Sequence, residues 1–442
     1  MHNEYGTICY CDHTGAAFRV WLRARHGSLE ALNDAWGTAF WSQRYTSWEQ
    51  VLPPRATQWH KNPGQALDFH RFWSDEVIAA YREQRDAIRA HSDRPVTTNL
   101  MLPAYQNIDL WVLARELDVV SSDQYPTSPG LDAAADVAFH ADRTRSLAGG
   151  SPWLLMEQGT STVYDRDRAL AKEPGDIVRH TLGHIARGSE GALFFQWRQS
   201  RAGAEMWHSA MVPHAGPDSR VFREVTQVDE AVARLGELAG STVTAPVAVL
   251  HDSDAWWALS MDDLPSPDLD CHAELGRAHR ALWDAGVTVD FAHPEHELGR
   301  YPLVIAPALF LMSDAGAENL RRYVEGGGTL LVQHASGFVD ERLHARLGGY
   351  PAARRCARRW ASASRSTGRC GGPSGSPCRT DHTAPSGASP CAPRARKRSP
   401  RTPTACSRTV PRSPGIASAP GRAGTSRPAW RRPTTALWFA GC

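Results

Sequence analysis

Four short strand-like runs separated by helical stretches constrain this 442-residue chain more than any other feature. They are residues 95–101 (PVTTNLM), 117–125 (LDVVSSDQY), 152–158 (PWLLMEQ) and 192–198 (ALFFQWR). Helical patterns lie between them, for example at residues 132–146 and 175–187. Strands with near-continuous apolar runs alternating with helices imply a parallel sheet covered by helices. The third run is the most informative. Trp153 to Met156 suits a buried strand, and Gly149, Gly150 and Ser151 before it read as a turn. The run stops at a carboxylate, Glu157. A strand buried on both faces cannot hold a carboxylate at its middle but can present one at its C-terminal end. In a (β/α)₈ barrel that end is the catalytic face.

The chain opens on a polar stretch, residues 1–6, which does not read as a signal peptide. Its longest strongly apolar run, residues 303–312, is too short to span a bilayer. A cytoplasmic protein with no membrane partner is expected. There is no room for a strand ahead of Asn3 and Glu4. Phe18, Trp21 and Leu22 fall at helical spacing, and Ser28 is placed to cap a helix over residues 29–36. Residues 37–54 are aromatic and irregular, and a long amphipathic helix is expected around residues 66–90.

A second α/β block follows. Strands are expected at residues 245–251, 287–292, 303–308 and 329–332. A helix is expected at residues 271–285, and another runs from a Ser313 cap to Val324, stopped by Gly326, Gly327 and Gly328. This reads as a small doubly wound domain. It has no Gly-x-Gly-x-x-Gly after its first strand and no glycine-rich phosphate loop, so no cofactor is assigned to it.

From Pro351 the composition changes. The last 92 residues hold 18 Lys and Arg against one acidic residue, Asp381, a net of +17. The formal charge of the whole is +2, which leaves −15 for the rest. Six of the nine cysteines lie in this tail, so the body carries no disulfide framework. The tail has one Leu, one Ile, one Val and one Phe, too few to bury a core, and a disordered segment is expected. The change falls in mid-domain, as a GC-rich gene read out of frame would produce. The tail lacks the aromatic interleaving of a strand-binding surface, which argues against a nucleic-acid partner. The expected domains are residues 1–240, 241–350 and 351–442.

Glu4 and Glu157 suggest a pair of carboxylates at two strand ends. Glycoside hydrolysis needs such a pair, one to protonate the leaving oxygen and one to attack or to activate water. Surface glutamate is the bland alternative for each. Glu205 and His208 stand at i, i+3 and share a face if the turn is helical. They fit a sugar-hydroxyl clamp, a metal ligand pair, or plain exposed side chains. Trp197 can stack on a sugar ring or fill a core. Tyr125 ends a strand, where its hydroxyl can reach a carboxylate. Cys9 and Cys11 make half of a zinc site.

Longer motifs carry a resemblance. HNEYG at residues 2–6, CYCD at 9–12, AWGTAFWSQRYTSW at 35–48 and LDFHRFWSD at 67–75 resemble glycoside hydrolase family 42. So do TTNLM at 97–101, LMEQ at 155–158 and FFQWRQSRAGAEMWHSAMVPHAG at 194–216. The likeness runs from His2 to about Tyr350. It implies a retaining β-galactosidase on a (β/α)₈ TIM barrel. Glu4 would be the acid/base, Asn3 would contact substrate beside it, and Glu157 would be the nucleophile. Trp41, Glu205 and His208 would line the galactose site. The carboxyls would stand roughly 5 Å apart, and the anionic nucleophile would help keep the acid protonated.

The resemblance also implies that only the end of the fourth strand and the fifth to eighth strands of the barrel are present. The expected fold is thus a partial barrel, then a doubly wound α/β domain resembling the family's trimerisation domain, then the disordered tail. A full-length form would be a homotrimer acting on β-galactosides, with no cofactor required. The chain as written is expected to be inactive. An α-L-arabinopyranosidase on the same scaffold and a catalytically dead assembly module are the rival readings. The family's structural zinc site has further cysteines where this chain has Thr14 or nothing upstream, so the site is incomplete, with His13 an untested substitute. Tyr164 and Asp165 stand where the family often has Asn-Trp.

Overall fold

The computed structural model describes residue 4 and residues 6–102, 107–128, 130–165, 168–261, 264–266 and 268–347. Asn3 and the tail expected to be disordered lie outside the described residues. The first three helices form one aromatic cluster. α1 (Asp12–His26) buries Phe18 and Leu22, one turn apart on one face. The Ser28 hydroxyl accepts from the Ala31 amide and starts α2 (Leu29–Ala35). α3 (Pro63–Arg89) begins three residues before the expected start. Asn62 caps it, and Pro63 at the first turn has no amide to leave unpaired. Its Phe69 and Phe72 pack on Phe18, Leu22, Leu32 and Trp36.

The strand–helix alternation then sets in. In order come β1 (Asn99–Met101), α4 (Leu110–Ala114), β2 (Ser121–Asp123), α5 (Gly130–Leu147) and β3 (Trp153–Glu157). An antiparallel hairpin of β4 (Thr162–Asp165) and β5 (Arg168–Ala171) is followed by α6 (Asp176–Ile185), β6 (Ser189–Ala192) and α7 (Arg220–Ala233). β1, β2, β3 and β6 make a parallel sheet in that order, with β1 and β6 at its edges. The fold class is the expected one: a partial (β/α)₈ barrel followed by a doubly wound α/β domain. Trp153 and Leu155 are fully buried beneath this sheet. The fourth strand differs from the expected residues 192–198. The ladder with β3 pairs Trp153 with Ser189 and Leu155 with Ala192, so the strand ends where the apolar run begins. Phe194 instead enters a separate cluster with Ile177, Met211, Val225 and Val228.

The second sheet has the order β10-β9-β7-β8 and is parallel throughout. In chain order its elements are β7 (Val247–Leu250), α8 (Ser253–Leu259), α9 (Cys271–Asp284), β8 (Val289–Ala292), β9 (Leu303–Ala306), α10 (Asp314–Glu325) and β10 (Thr329–Val332). Ser313 caps α10, its hydroxyl accepting from the Gly316 amide at 2.9 Å.

The two blocks share α5. This helix is buried nearly all round, including His140, Asp142, Arg143 and Arg145. Asp142 accepts from Arg145, from Arg187 at 2.6 Å and pairs with His279 of α9 at 2.9 Å. Arg145 donates onward to Asp290 of β8 at 2.9 Å and to the Val289 carbonyl at 2.6 Å. A second tie is the fork of Arg71 on Asp254, at 3.0 Å from Nε and 2.6 Å from Nη2. Among the described residues no helix is long and apolar enough to cross a membrane.

Candidate active site

The ladder that orders the first sheet also builds its C-terminal rim. Asp123, the last residue of β2, is the register partner of Glu157, the last residue of β3. Glu4 comes to the same place from the other end of the sequence. One carboxylate oxygen each of Glu4, Asp123 and Glu157 lies within 4.8 Å of the other two. Glu4 and Glu157 are half-buried and Asp123 is buried. The backbone at Glu4 is left-handed, with φ 49°. Residues other than glycine adopt this conformation rarely, and such strain concentrates at functional sites.

Two further groups hold the cluster. Tyr125 donates its hydroxyl to Glu157 Oε2 at 2.6 Å. Asn99 of β1 donates its amide to Asp123 Oδ2. Gly159 allows the close approach of Val163 and Ser209, since a Cβ there would stand 2.7 Å from Val163 Cγ1. The same Cβ would stand 2.8 Å from Ser209 Oγ and 3.4 Å from the Tyr125 ring. His208 is buried edge-on against Tyr125 and against Phe195, at 5.2 Å in each case.

The electrostatics follow from burial and like charge. Burial, then the charges of Glu157 and Glu205, raises the Glu4 carboxyl above its ordinary value. Asp123 is pushed up to about 9, by burial first and then by Glu157 and Glu4, against the pull of the Asn99 amide. It therefore carries a proton at neutrality. Because Oδ2 accepts from Asn99, that proton belongs on Oδ1, a buried atom with no other partner among the described residues. Burial and the Glu157 charge raise Tyr125 too, which keeps it a donor. Such a cluster can offer a carboxylate oriented by a phenol beside carboxyls whose proton affinity burial and like charge raise.

The residues singled out in the sequence are distributed as follows. Glu4, Tyr125, Glu157 and His208 come together, and Glu205 is near enough to Glu4 to raise it. The Glu205–His208 turn forms, with the His208 amide bonded to the Glu205 carbonyl at 2.9 Å. However, Glu205 is exposed and His208 buried. Trp197 is half-exposed, edge-on to Phe222 at 6.3 Å. Trp41 is exposed on the short turn Phe40–Ser42, its ring against Phe40. The side chains of Tyr164 and Asp165 lie outside the described residues.

The zinc donors do not fit a closed site. Cys9 and Cys11 are exposed thiols. The Thr14 hydroxyl lies 3.4 Å from Cys11 Sγ. The hydrogen bonds from Thr14, and one from Cys9, lower the Cys11 thiol to about 6. Among the described residues only the Glu4–Asp123–Glu157 trio gathers three groups able to ligate a metal. Two thiols are half of a tetrahedral zinc site, and no metal is assigned to them.

The chain was compared with known proteins. Residues 1–235 match the family model of glycoside hydrolase family 42, described as beta-galactosidase. Residues 245–357 match the beta-galactosidase trimerisation domain. A beta-galactosidase from an Arthrobacter species is 45% identical over 358 residues, covering 80% of this chain and 52% of its relative. Beta-galactosidase BgaB from a Geobacillus species is 40% identical over 356 residues, covering 79% of this chain and 53% of its relative. The chain thus spans about half the length of the curated relatives it matches. Among solved structures, a catalytic mutant of Gan42B, a family 42 beta-galactosidase from G. stearothermophilus, superposes with a TM-score of 0.75. The two are 37% identical over 78% of this chain and 53% of that one. The beta-galactosidase from Bacillus circulans sp. alkalophilus gives a TM-score of 0.75 at 35% identity, over 79% and 53% of the two chains. A carboxylate cluster on the rim of a partial barrel, and this extent of likeness, lead to one assignment: the chain belongs to glycoside hydrolase family 42.

Proposed function

We propose that this chain carries the catalytic carboxylates of a retaining β-galactosidase, with Glu157 as nucleophile and Glu4 as acid/base. The observation that supports this most is the spacing: oxygens of Glu4 and Glu157 lie within 4.8 Å. Retaining glycosidases hold the pair about 5–5.5 Å apart, whereas inverting ones leave about 6.5–9.5 Å for a water. In the first step Glu157 attacks the anomeric carbon, the glycosidic C–O bond breaks, and Glu4 gives its proton to the leaving oxygen. In the second, Glu4 takes a proton from water as the water oxygen attacks that carbon and frees Glu157. Tyr125 acts as the donor that orients Glu157. His208 and Glu205, with Asn3, Trp41 and Trp197, are the proposed contacts for the sugar.

Residues 1–240 are proposed as part of the catalytic barrel and residues 241–350 as an assembly domain. The trimerisation-domain match supports a homotrimer. The test of the catalytic reading is covalent trapping. In a form that carries the complete barrel, a 2-deoxy-2-fluoro-galactoside with a good leaving group should label the peptide containing Glu157, and Glu157→Gln should remove the label. A label on another carboxylate, or no label on that complete form, would overturn the assignment.

A further inference from the structure

Two deeply seated arginines of this molecule come with counter-charges. Arg71 has Asp254 and Asp68, and Arg145 has Asp142 and Asp290. Arg143, two residues before Arg145 on α5, has neither. It is 3% exposed, and its Nη1 has no hydrogen-bond partner among the described residues. The rings of Phe139 and Trp256 flank its guanidinium, each centred 5.5 Å away. The acidic group nearest in effect is the Cys271 thiol, which burial pushes up to about 12 and so keeps neutral. Burial lowers Arg143 only to about 10, so the guanidinium stays charged at neutrality. Ring faces stabilise a cation in part, but a buried charge without a counter-charge remains costly.

Arg143 lines a cavity of about 450 Å³ beside the C-terminal end of β2 and α9. His140 and His272 line it as well, and the Nδ1 of each is buried without a partner among the described residues. Burial holds His140 well below and His272 at about 4, so neither adds charge near neutrality. The cavity thus has one fixed positive charge. Asp136 also lines it, but from an exposed position where water screens its carboxylate. The remaining wall mixes apolar Met101 and Leu102 with Gln124 and Thr127, which can hydrogen-bond.

We infer that this cavity is a binding site for a small sugar acid of the uronate class, its carboxylate seated on the unpaired Arg143. A planar guanidinium fork matches a carboxylate in two parallel hydrogen bonds. One cation balances a monoanion, whereas a phosphate dianion would bring a second charge into the same buried place. Apolar walls with a few hydrogen-bonding groups suit a ring with hydroxyls at its edge. Asp123 and Tyr125 line this cavity and also touch the carboxylate cluster, so the two sites adjoin. The inference does not depend on the galactosidase reading.

The test is binding to the full chain with saturating galactose present throughout, read by calorimetry and by thermal shift. Galacturonate should bind and raise the melting temperature. Arg143→Met should weaken binding roughly tenfold to hundredfold, the loss expected for a hydrogen-bonded charge. Without ligand, that variant should melt no lower than the parent, because it removes an unpaired buried charge. Arg143→Lys keeps the charge and loses the fork, so it should bind more weakly than the parent. It serves if the methionine variant does not fold. Equal shifts from phosphate or chloride would overturn the carboxylate assignment, and so would no response to galacturonate. Undiminished binding by either variant would remove Arg143 from the site.

Discussion

Asp123 binds its proton more tightly in the folded chain than in an unfolded one, because burial and the charges of Glu157 and Glu4 oppose its ionised form. A raised folded value stabilises fully below the unfolded value of 3.8, and that contribution is lost as pH rises toward about 9. The melting temperature of the parent should therefore fall across that window. Asp123→Asn keeps a neutral group of the same shape beside Asn99. It should flatten the profile and melt several degrees higher at the alkaline end. Circular dichroism melts at a series of pH values check this, and a parent profile as flat as the variant's would sink it. Asp123 was also the site residue hardest to read in the sequence. In SSDQY it is one polar residue among several, whereas Glu157 ends an apolar run and Tyr125 ends the expected strand. The signal that could have found it is alternation: two residues before Tyr125 on the strand expected over residues 117–125 means the same face. The cross-strand register with Glu157 is set by sheet order, which no local pattern encodes. Exposed Trp41 and Trp197 show the same limit, since an aromatic residue reads alike whether it stacks on a ligand or waits at a surface.

α5 is the element that ties the two blocks together through buried ion pairs. Burial pushes the Asp142 carboxyl up, but His279, Arg145 and Arg187 outweigh this and hold it below the usual carboxylate range. A lowered value stabilises the fold above the unfolded value of 3.8, and the benefit is lost as pH falls through the folded one. Asp142→Ala would leave Arg145 and His279 buried beside an empty place. It should cost about 3–5 kcal/mol, the usual range for breaking a buried ion pair. Urea unfolding at neutral pH measures it, and a loss comparable to a surface substitution would show that the network is dispensable. Elements with their own punctuation were legible in the sequence. β10 falls at the expected residues, and Ser313 caps α10. β6 was misplaced because its SEGA sequence has little strand character, and only pairing with β3 makes it a strand. α8 was not singled out because SDAWWAL is buried nearly all round, which erases the periodicity of a helix with a solvent face.

At the scale of the molecule, the boundary near residue 241 divides the sequence more sharply than the packing. Trp111 of α4 and Leu67 of α3 belong to the core cluster of the second sheet, and Trp111 donates to the His251 carbonyl at 3.1 Å. Every described residue falls in one compact unit. The two blocks should consequently unfold together. Calorimetry and far-ultraviolet circular dichroism should report a single coincident transition, and two resolved transitions would show that the shared helix does not couple them. The ion pair from Arg145 to Asp290 also sets an order in time. Its partners are 145 residues apart, and a ribosome adding about 5–20 residues per second needs roughly 7–30 s to cover that distance. Through that interval Arg145 has only Asp142, one turn back on α5, as a local counter-charge. The first block therefore waits, unfinished, for a strand not yet made, and a chaperone or a protease has its opportunity then.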